Sequence, residues 1–267
     1  MGGFGLVRHL NFFKENVVIM FKFLSEYKAS FYSVLGEQIV FISVNLLLFS
    51  VMVENFADVI GWNFKDFVLF LCLIDFLNVF MGIFTWKNWL KKDIVSGSFN
   101  LMLLRPLKVF WFNYFYALSH YALLYTILNF FIFSFFIFYF GIELVNIFLA
   151  VGLFGLICFF WLCLVEFFKS LDWVFLGLSE VLWKPLSDVN WSFKSFPAPL
   201  FKKFGWKYLL LVFPYYVLAI LVLPVLRGYE VVDFWFYVYF LSFGSVVLCL
   251  FIFGFWKYGL KNYEAFG

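Results

Sequence analysis

Four carboxylates fall inside apolar runs of this chain: Glu37, Asp75, Glu166 and Glu180. A carboxylate at membrane depth is costly, so it must face protein, water or a proton path. Paired within one span, such acids would serve a proton-coupled carrier. Here they are scattered singly, and their spacing picks out no relay. Asp75, His120 and Glu180 are kept as positions that line a pathway or serve as buried structural polar groups. His9 and His120 lie far apart in unlike surroundings, and a lone His in an apolar run reads as a packed hydrogen-bonding residue before it reads as a metal ligand. Cys72, Cys158, Cys163 and Cys249 sit in apolar runs at spacings unlike metal or redox motifs, and read as small packing residues. No Gly is followed by Lys, so the chain has no phosphate-binding G-x-x-x-x-G-K-[ST] loop. Neither H-E-x-x-H nor G-x-S-x-G occurs. The chain reads as a non-enzyme, and any energised process it joins must draw its energy from another protein.

The elements that carry these residues follow from composition. The 267 residues are 66% hydrophobic and 13% charged, with a mean hydropathy of +0.99. Soluble domains run at roughly 45–50% apolar and about 25% charged. The apolar runs reach the ~20 residues a membrane helix needs and are too long for barrel strands. The expected fold is an all-α polytopic membrane protein, one membrane domain with no internal repeat.

In chain order, residues 4–29 read as an amphipathic helix lying in the membrane interface. Leu6, Leu10, Phe13, Val17, Met20, Phe21 and Leu24 fall on one face. Spans are expected at about 31–53, 64–86, 109–140, 144–168 and 232–256. The loop with Glu54 and Asp58 has no base and reads as external. Between 168 and 232 two arrangements fit the residues. In one, 171–190 crosses and the stretch to 226, broken by Pro214 and Pro224, is re-entrant from outside. In the other, 171–190 lies along the inner surface and 206–226 crosses. Lys202, Lys203 and Lys207 favour the second by the excess of basic residues on cytoplasmic loops. Glu180 and Lys184, spaced i,i+4, are expected to pair on one helix face.

Residues 87–108, KNWLKKDIVSGSFNLMLLRPLK, cannot be buried in lipid. They carry Lys87, Lys91, Lys92, Arg105 and Lys108 against Asp93 alone. Basic character between two spans puts this segment at the cytoplasmic surface, with both chain termini on that side. A short helix over 89–96 is expected to end at Gly97, and Pro106 to set the start of the third span.

From Asp93 to Leu107 the segment reads D-I-V-S-G-S-F-N-L-M-L-L-R-P-L. It resembles the pattern I-x-x-G-x-L-D-x-x-L-L-R-P of one branch of the type-2 ATP-binding-cassette (ABC) exporter permeases. The end of the chain, F-W-K-Y-G-L-K-N-Y-E-A-F-G (Phe255–Gly267), is similar to that family's closing W-x-x-G-L-x-x-Y-x-x-x-G. F-P-A-P-L-F (Phe196–Phe201) followed by V-F-P-Y (Val212–Tyr215) is similar to its Pro-bearing segment before the last span. The departures are Phe99 for Leu and Asn100 for Asp, which keeps a hydrogen-bonding shape but loses a charge.

The resemblance implies six transmembrane helices, the interfacial helix at 4–29, and a re-entrant region over 196–226. It therefore favours 171–190 as the fifth span. It implies that 87–108 is a coupling segment for a separate ABC ATPase subunit, which holds the ATP and Mg; this chain carries no cofactor of its own. Asp93, Ile94, Gly97, Phe99, Asn100, Leu104, Arg105 and Pro106 are the residues it points to for that contact. A second permease, copy or paralogue, would complete the path, and the other partner is membrane lipid, not nucleic acid. The function implied is export of a lipid-like or amphipathic, drug-like substrate across the cytoplasmic membrane of a prokaryote. Two other readings stay open on the residues alone: a secondary carrier or channel using the intramembrane acids, and a membrane scaffold.

Overall fold

The computed structural model describes residues 11, 14–15, 18–19, 22, 26, 28–60, 62–85, 90–104, 109, 120–195 and 209–263. Most of the expected interfacial helix, 4–29, lies outside the described residues. Every regular element among the described residues is helical. That follows from the composition: in lipid, a helix satisfies all its backbone groups within one segment.

Helix α1, Lys28–Ile60, contains the expected first span. Helix α2, Phe64–Thr85, is the centre of the bundle, with Phe67, Val68, Leu69, Phe70 and Leu71 all buried. Two short helices follow, α3 (Leu90–Val95) and α4 (Ser98–Leu103). Then come α5 (His120–Tyr139), α6 (Leu144–Ser170) and a 3-10 turn at Leu171–Trp173. Helix α7 covers Leu178–Ser195. A broken helix, α8 (Pro214–Leu226), precedes the last helix α9, Phe234–Asn262. Among the described residues, the helices long and apolar enough to cross a membrane are Phe64–Ile83, Leu144–Trp173 and Phe234–Asn262. Tyr32–Leu48, Leu124–Tyr139 and Pro214–Leu226 are shorter apolar helices.

Helix α5 packs along α2, and α9 along α6. Leu69, Leu73, Leu77, Ile157, Leu164, Leu221 and Val222 belong to one continuous apolar core. Close approach of α6 and α9 depends on Gly244: a Cβ there would stand 2.9 Å from the Phe160 ring. The acids of the apolar runs find partners rather than lipid. Tyr125 of α5 donates a hydrogen bond to Glu37 of α1. Glu166 accepts from Lys169 at 2.7 Å within α6. Asp75 is buried within α2.

The region between 168 and 232 departs from the expected boundaries. Residues 171–190 are not one helix. The chain makes the 3-10 turn, breaks at Gly177 (φ +92) and restarts at Leu178. Asp172 causes the restart. Its Oδ1 accepts the Gly177 and Ser179 amides at 3.0 and 3.1 Å, and its Oδ2 accepts the Ser179 hydroxyl at 2.6 Å. These bonds satisfy donors that the start of a helix leaves unpaired. Glu180 does not take Lys184; it pairs with Lys91 of α3 at 2.8 Å. Pro214 opens α8 instead of interrupting it, since its missing N–H falls in the unbonded first turn. Pro224 does disturb the helix: the five residues before Leu223, Leu218–Val222, are wound as a π-helix.

The contacts of α7 and α8 are ordered along α6. Glu180 lies beside Lys91, Trp183 packs at a tilt against Phe168 and Trp161, and Phe193 meets Phe213 and Tyr216 at the start of α8. At the other end of α8, a Cβ on Gly228 would meet Asn146 near the start of α6 at 3.0 Å. Helix α7 therefore climbs antiparallel to α6, and α8 continues toward the end where α6 begins.

At that end, Arg227 Nε donates to Asp66 Oδ1 at 2.9 Å, both side chains largely buried. Asp66 also closes a reciprocal cap at the start of α2. The Asn63 amide donates to Asp66 Oδ2, and the Asp66 amide to Asn63 Oδ1, each at 3.1 Å. Removing one partner of such a pair leaves a buried charge alone. We predict that Arg227→Ala costs on the order of 3 kcal/mol, read as a lower thermal midpoint of the detergent-solubilised protein. An unchanged midpoint would show that the pair does not hold α8 to α2.

Candidate functional site

The basic segment is held by three other parts of the chain. Helix α3 ends where Gly97 takes a left-handed turn (φ +73), as the sequence predicts, and α4 starts at once. The Ser98 hydroxyl donates to Asp93 Oδ1 at 3.0 Å and ties the two short helices together. Burial pushes the Asp93 carboxyl above its ordinary range, opposed by the Ser98 hydrogen bond and the Lys92 charge.

The inward face carries Leu90, Ile94, Phe99 and Met102, all buried with Cys163 of α6 and with Ile252 and Trp256 of α9. Phe99 is 1% exposed. It meets Trp173 edge-on at 5.3 Å and Tyr263 at 5.0 Å. Trp173 in turn meets Trp256 at 5.5 Å. Asn100 Oδ1 accepts the Tyr263 hydroxyl at 2.8 Å. Trp173 lies so close to α9 that a Cβ on Gly259 would stand 2.0 Å from its ring. The two sequence motifs, widely separated in the chain, thus meet in space: Phe99 and Asn100 from one, Trp256, Gly259 and Tyr263 from the other. The third attachment is the Lys91–Glu180 bridge to α7. The hydrogen bond to Glu180 and its charge hold Lys91 in its protonated form.

The sequence-derived site residues divide by where they point. Ile94 and Phe99 face the bundle and anchor the segment; no soluble partner can reach them. Asn100 is half-buried and already bonded to Tyr263, so the amide serves an internal contact. Asp93 and Gly97 shape the turn. Leu104 is 82% exposed, and with it Lys92, Val95 and Leu101 form the outer face. Arg105 and Pro106 lie outside the described residues, as does the side chain of His120. Asp75 is buried on α2, outside the cluster that holds this segment. Glu180 joins the site through Lys91.

Sequence reasoning missed Trp173 and Asp172, which lie in the stretch with competing topologies. It also missed Val95 and Leu101, because six-residue helices are too short to show a face by periodicity. The cysteines are free thiols, and two of them touch: Cys163 Sγ and Cys249 Sγ stand 3.5 Å apart where α6 meets α9 beside this cluster.

Gly259→Ala forces Trp173 off α9 and should cost about 1–3 kcal/mol, as overpacking does. Tyr263→Phe removes one hydrogen bond and should cost about 1 kcal/mol. Thermal unfolding in detergent ranks the two, and the reverse order would mean that the indole contact is not what holds α9. A carboxyl with a raised folded pKa favours the protonated form on folding, so its contribution falls as pH rises above the ordinary carboxylate range. The thermal midpoint in detergent should therefore fall as pH rises out of the acid range, and Asp93→Asn should lessen that fall.

A family model described as ABC-2 family transporter protein matches residues 39–267. No curated protein matches, and no solved structure matches.

Proposed function

The chain belongs to the ABC-2 family of transporter proteins, and from that premise we propose that it is the membrane-spanning permease subunit of an ATP-driven exporter. A separate ABC ATPase subunit docks on the outer face of α3 and α4 and carries the ATP and Mg. A second permease, copy or paralogue, completes the path through the cytoplasmic membrane, and both termini of this chain are cytoplasmic. The substrate is lipid-like or amphipathic.

One observation carries this reading. The segment between α2 and α5 is bonded to α6, α7 and α9 through its inner face and presents Lys92, Val95, Leu101 and Leu104 outward. A loop that served only to set topology by its charge would need no such anchoring. An exposed apolar group rimmed by a base, on a rigid mount, is suited to seat in a groove of a soluble partner. The climb of α7 along α6, continued in the same direction by α8 toward Asp66, supports a fifth crossing made by the two helices in series.

Val95→Asp and Leu101→Asp place charges on the outer face without touching the buried cluster. Each should abolish co-purification of the ATPase, or lower coupled ATP hydrolysis by tenfold or more, about 1.4 kcal/mol of docking energy, while leaving the thermal midpoint unchanged. Full coupling in both variants would sink the proposal that this face is the dock.

A further inference from the structure

Helix α7 has two unlike sides. Ser179, Asn190 and Phe193 are buried, and Trp183 packs against Trp161 and Phe168 of α6. Lys184 and Asp188 stand opposite that face, both exposed, with Ser192 one turn further on. Glu180, one turn before Lys184, is bound to Lys91. Lys184 and Asp188 make no ion pair with each other or with any described residue. They are separated by one helical turn, roughly 6 Å of rise.

Their position makes this consequential. Helix α7 lies along α6, from the Lys91 end to the start of α8, so these charges sit alongside apolar helices rather than beyond them. Charges at membrane depth face protein or water, not lipid. If α7 takes part in a crossing, as the permease reading has it, its exposed side, which carries Lys184 and Asp188 among Val181 and Trp191, faces water or protein at those two charges. An unpaired base and acid one turn apart complement a headgroup that carries an anion and a cation at similar separation.

We propose that Lys184 and Asp188 form a headgroup subsite on the transport path, selective for amphiphiles bearing both a negative and a positive charge. Lys184 takes the anionic group and Asp188 the cationic group. The proposal rests on the permease reading above and names the substrate class that reading leaves open.

The test uses the complex of this chain with its co-purified ATPase in lipid nanodiscs. Three amphiphiles of one chain length are compared as stimulants of ATP hydrolysis: a lysophosphatidylcholine, a lysophosphatidylglycerol and an alkyltrimethylammonium. The zwitterion should act at about tenfold lower concentration than either singly charged probe, the effect of one charge-assisted contact. Lys184→Gln should raise the half-maximal concentration for the zwitterion and the anion and spare the cation. Asp188→Asn should raise it for the zwitterion and the cation and spare the anion. If the complex responds to amphiphiles but both variants keep the wild-type order, the subsite is overturned and the permease reading stands. If the chain couples to no ATPase, both fall together.

A second measurement does not depend on hydrolysis. Lys184→Cys and Asp188→Cys, read above the background of the native cysteines, should react with a charged, membrane-impermeant thiol reagent, and lysophosphatidylcholine should slow the reaction. Unreactive positions would place this face against lipid or a second copy of the chain and overturn the proposal.

Discussion

Trp173 lies flat against the backbone of α9 at Gly259, and the arrangement of the basic segment depends on that contact. The indole has no room to lie there unless position 259 lacks a side chain. Once seated, its ring forms one wall of the socket for Phe99, with Tyr263 forming another. Phe99 is fixed in turn by the left-handed turn at Gly97, which sets the start of α4. The same 3-10 turn that carries Trp173 also carries Asp172, which starts α7. Three residues at the end of α6 thus position the segment, the last helix and the charged helix together.

That arrangement explains how a force applied outside could reach the membrane part. Aromatic rings packed edge-on resist sliding, because a displaced ring loses its contacts on several sides at once. The segment is not attached through the two chain ends alone. It also grips α6 and α9 through Phe99 and Asn100, and α7 through Lys91. A push on Val95 or Leu104 is therefore delivered to three helices that are distant in sequence. The Lys91–Glu180 bridge is the weakest of the grips. It is exposed, and pairs of that kind contribute little to stability, so α7 is the helix freest to move relative to the segment.

The sequence shows much of this, and its failures have physical causes. Long apolar runs mark α2, α6 and α9, since nothing but lipid or a core requires them. The turn at Gly97 is legible because only glycine takes that conformation without strain. The family pattern marks Phe99, Asn100 and Tyr263 without telling which way each points. Orientation on a six-residue helix depends on what the fold brings near it, and here that is Trp173 and Trp256. Glu180 shows the same limit. An i,i+4 neighbour is a reasonable partner on an isolated helix, but Lys91 arrives from α3 and the exposed local pair gives way to it.

The displaced pairing has a further effect on α7. Because Glu180 is taken by Lys91, Lys184 is left without the partner that sequence assigns to it. Asp188 then has a free base one turn away and no contact that draws the two together. Lys184 and Asp188 stand on the side of α7 opposite Asn190 and Phe193. The bridge that fixes the coupling segment to α7 and the unpaired charges further along that helix are thus two ends of one element.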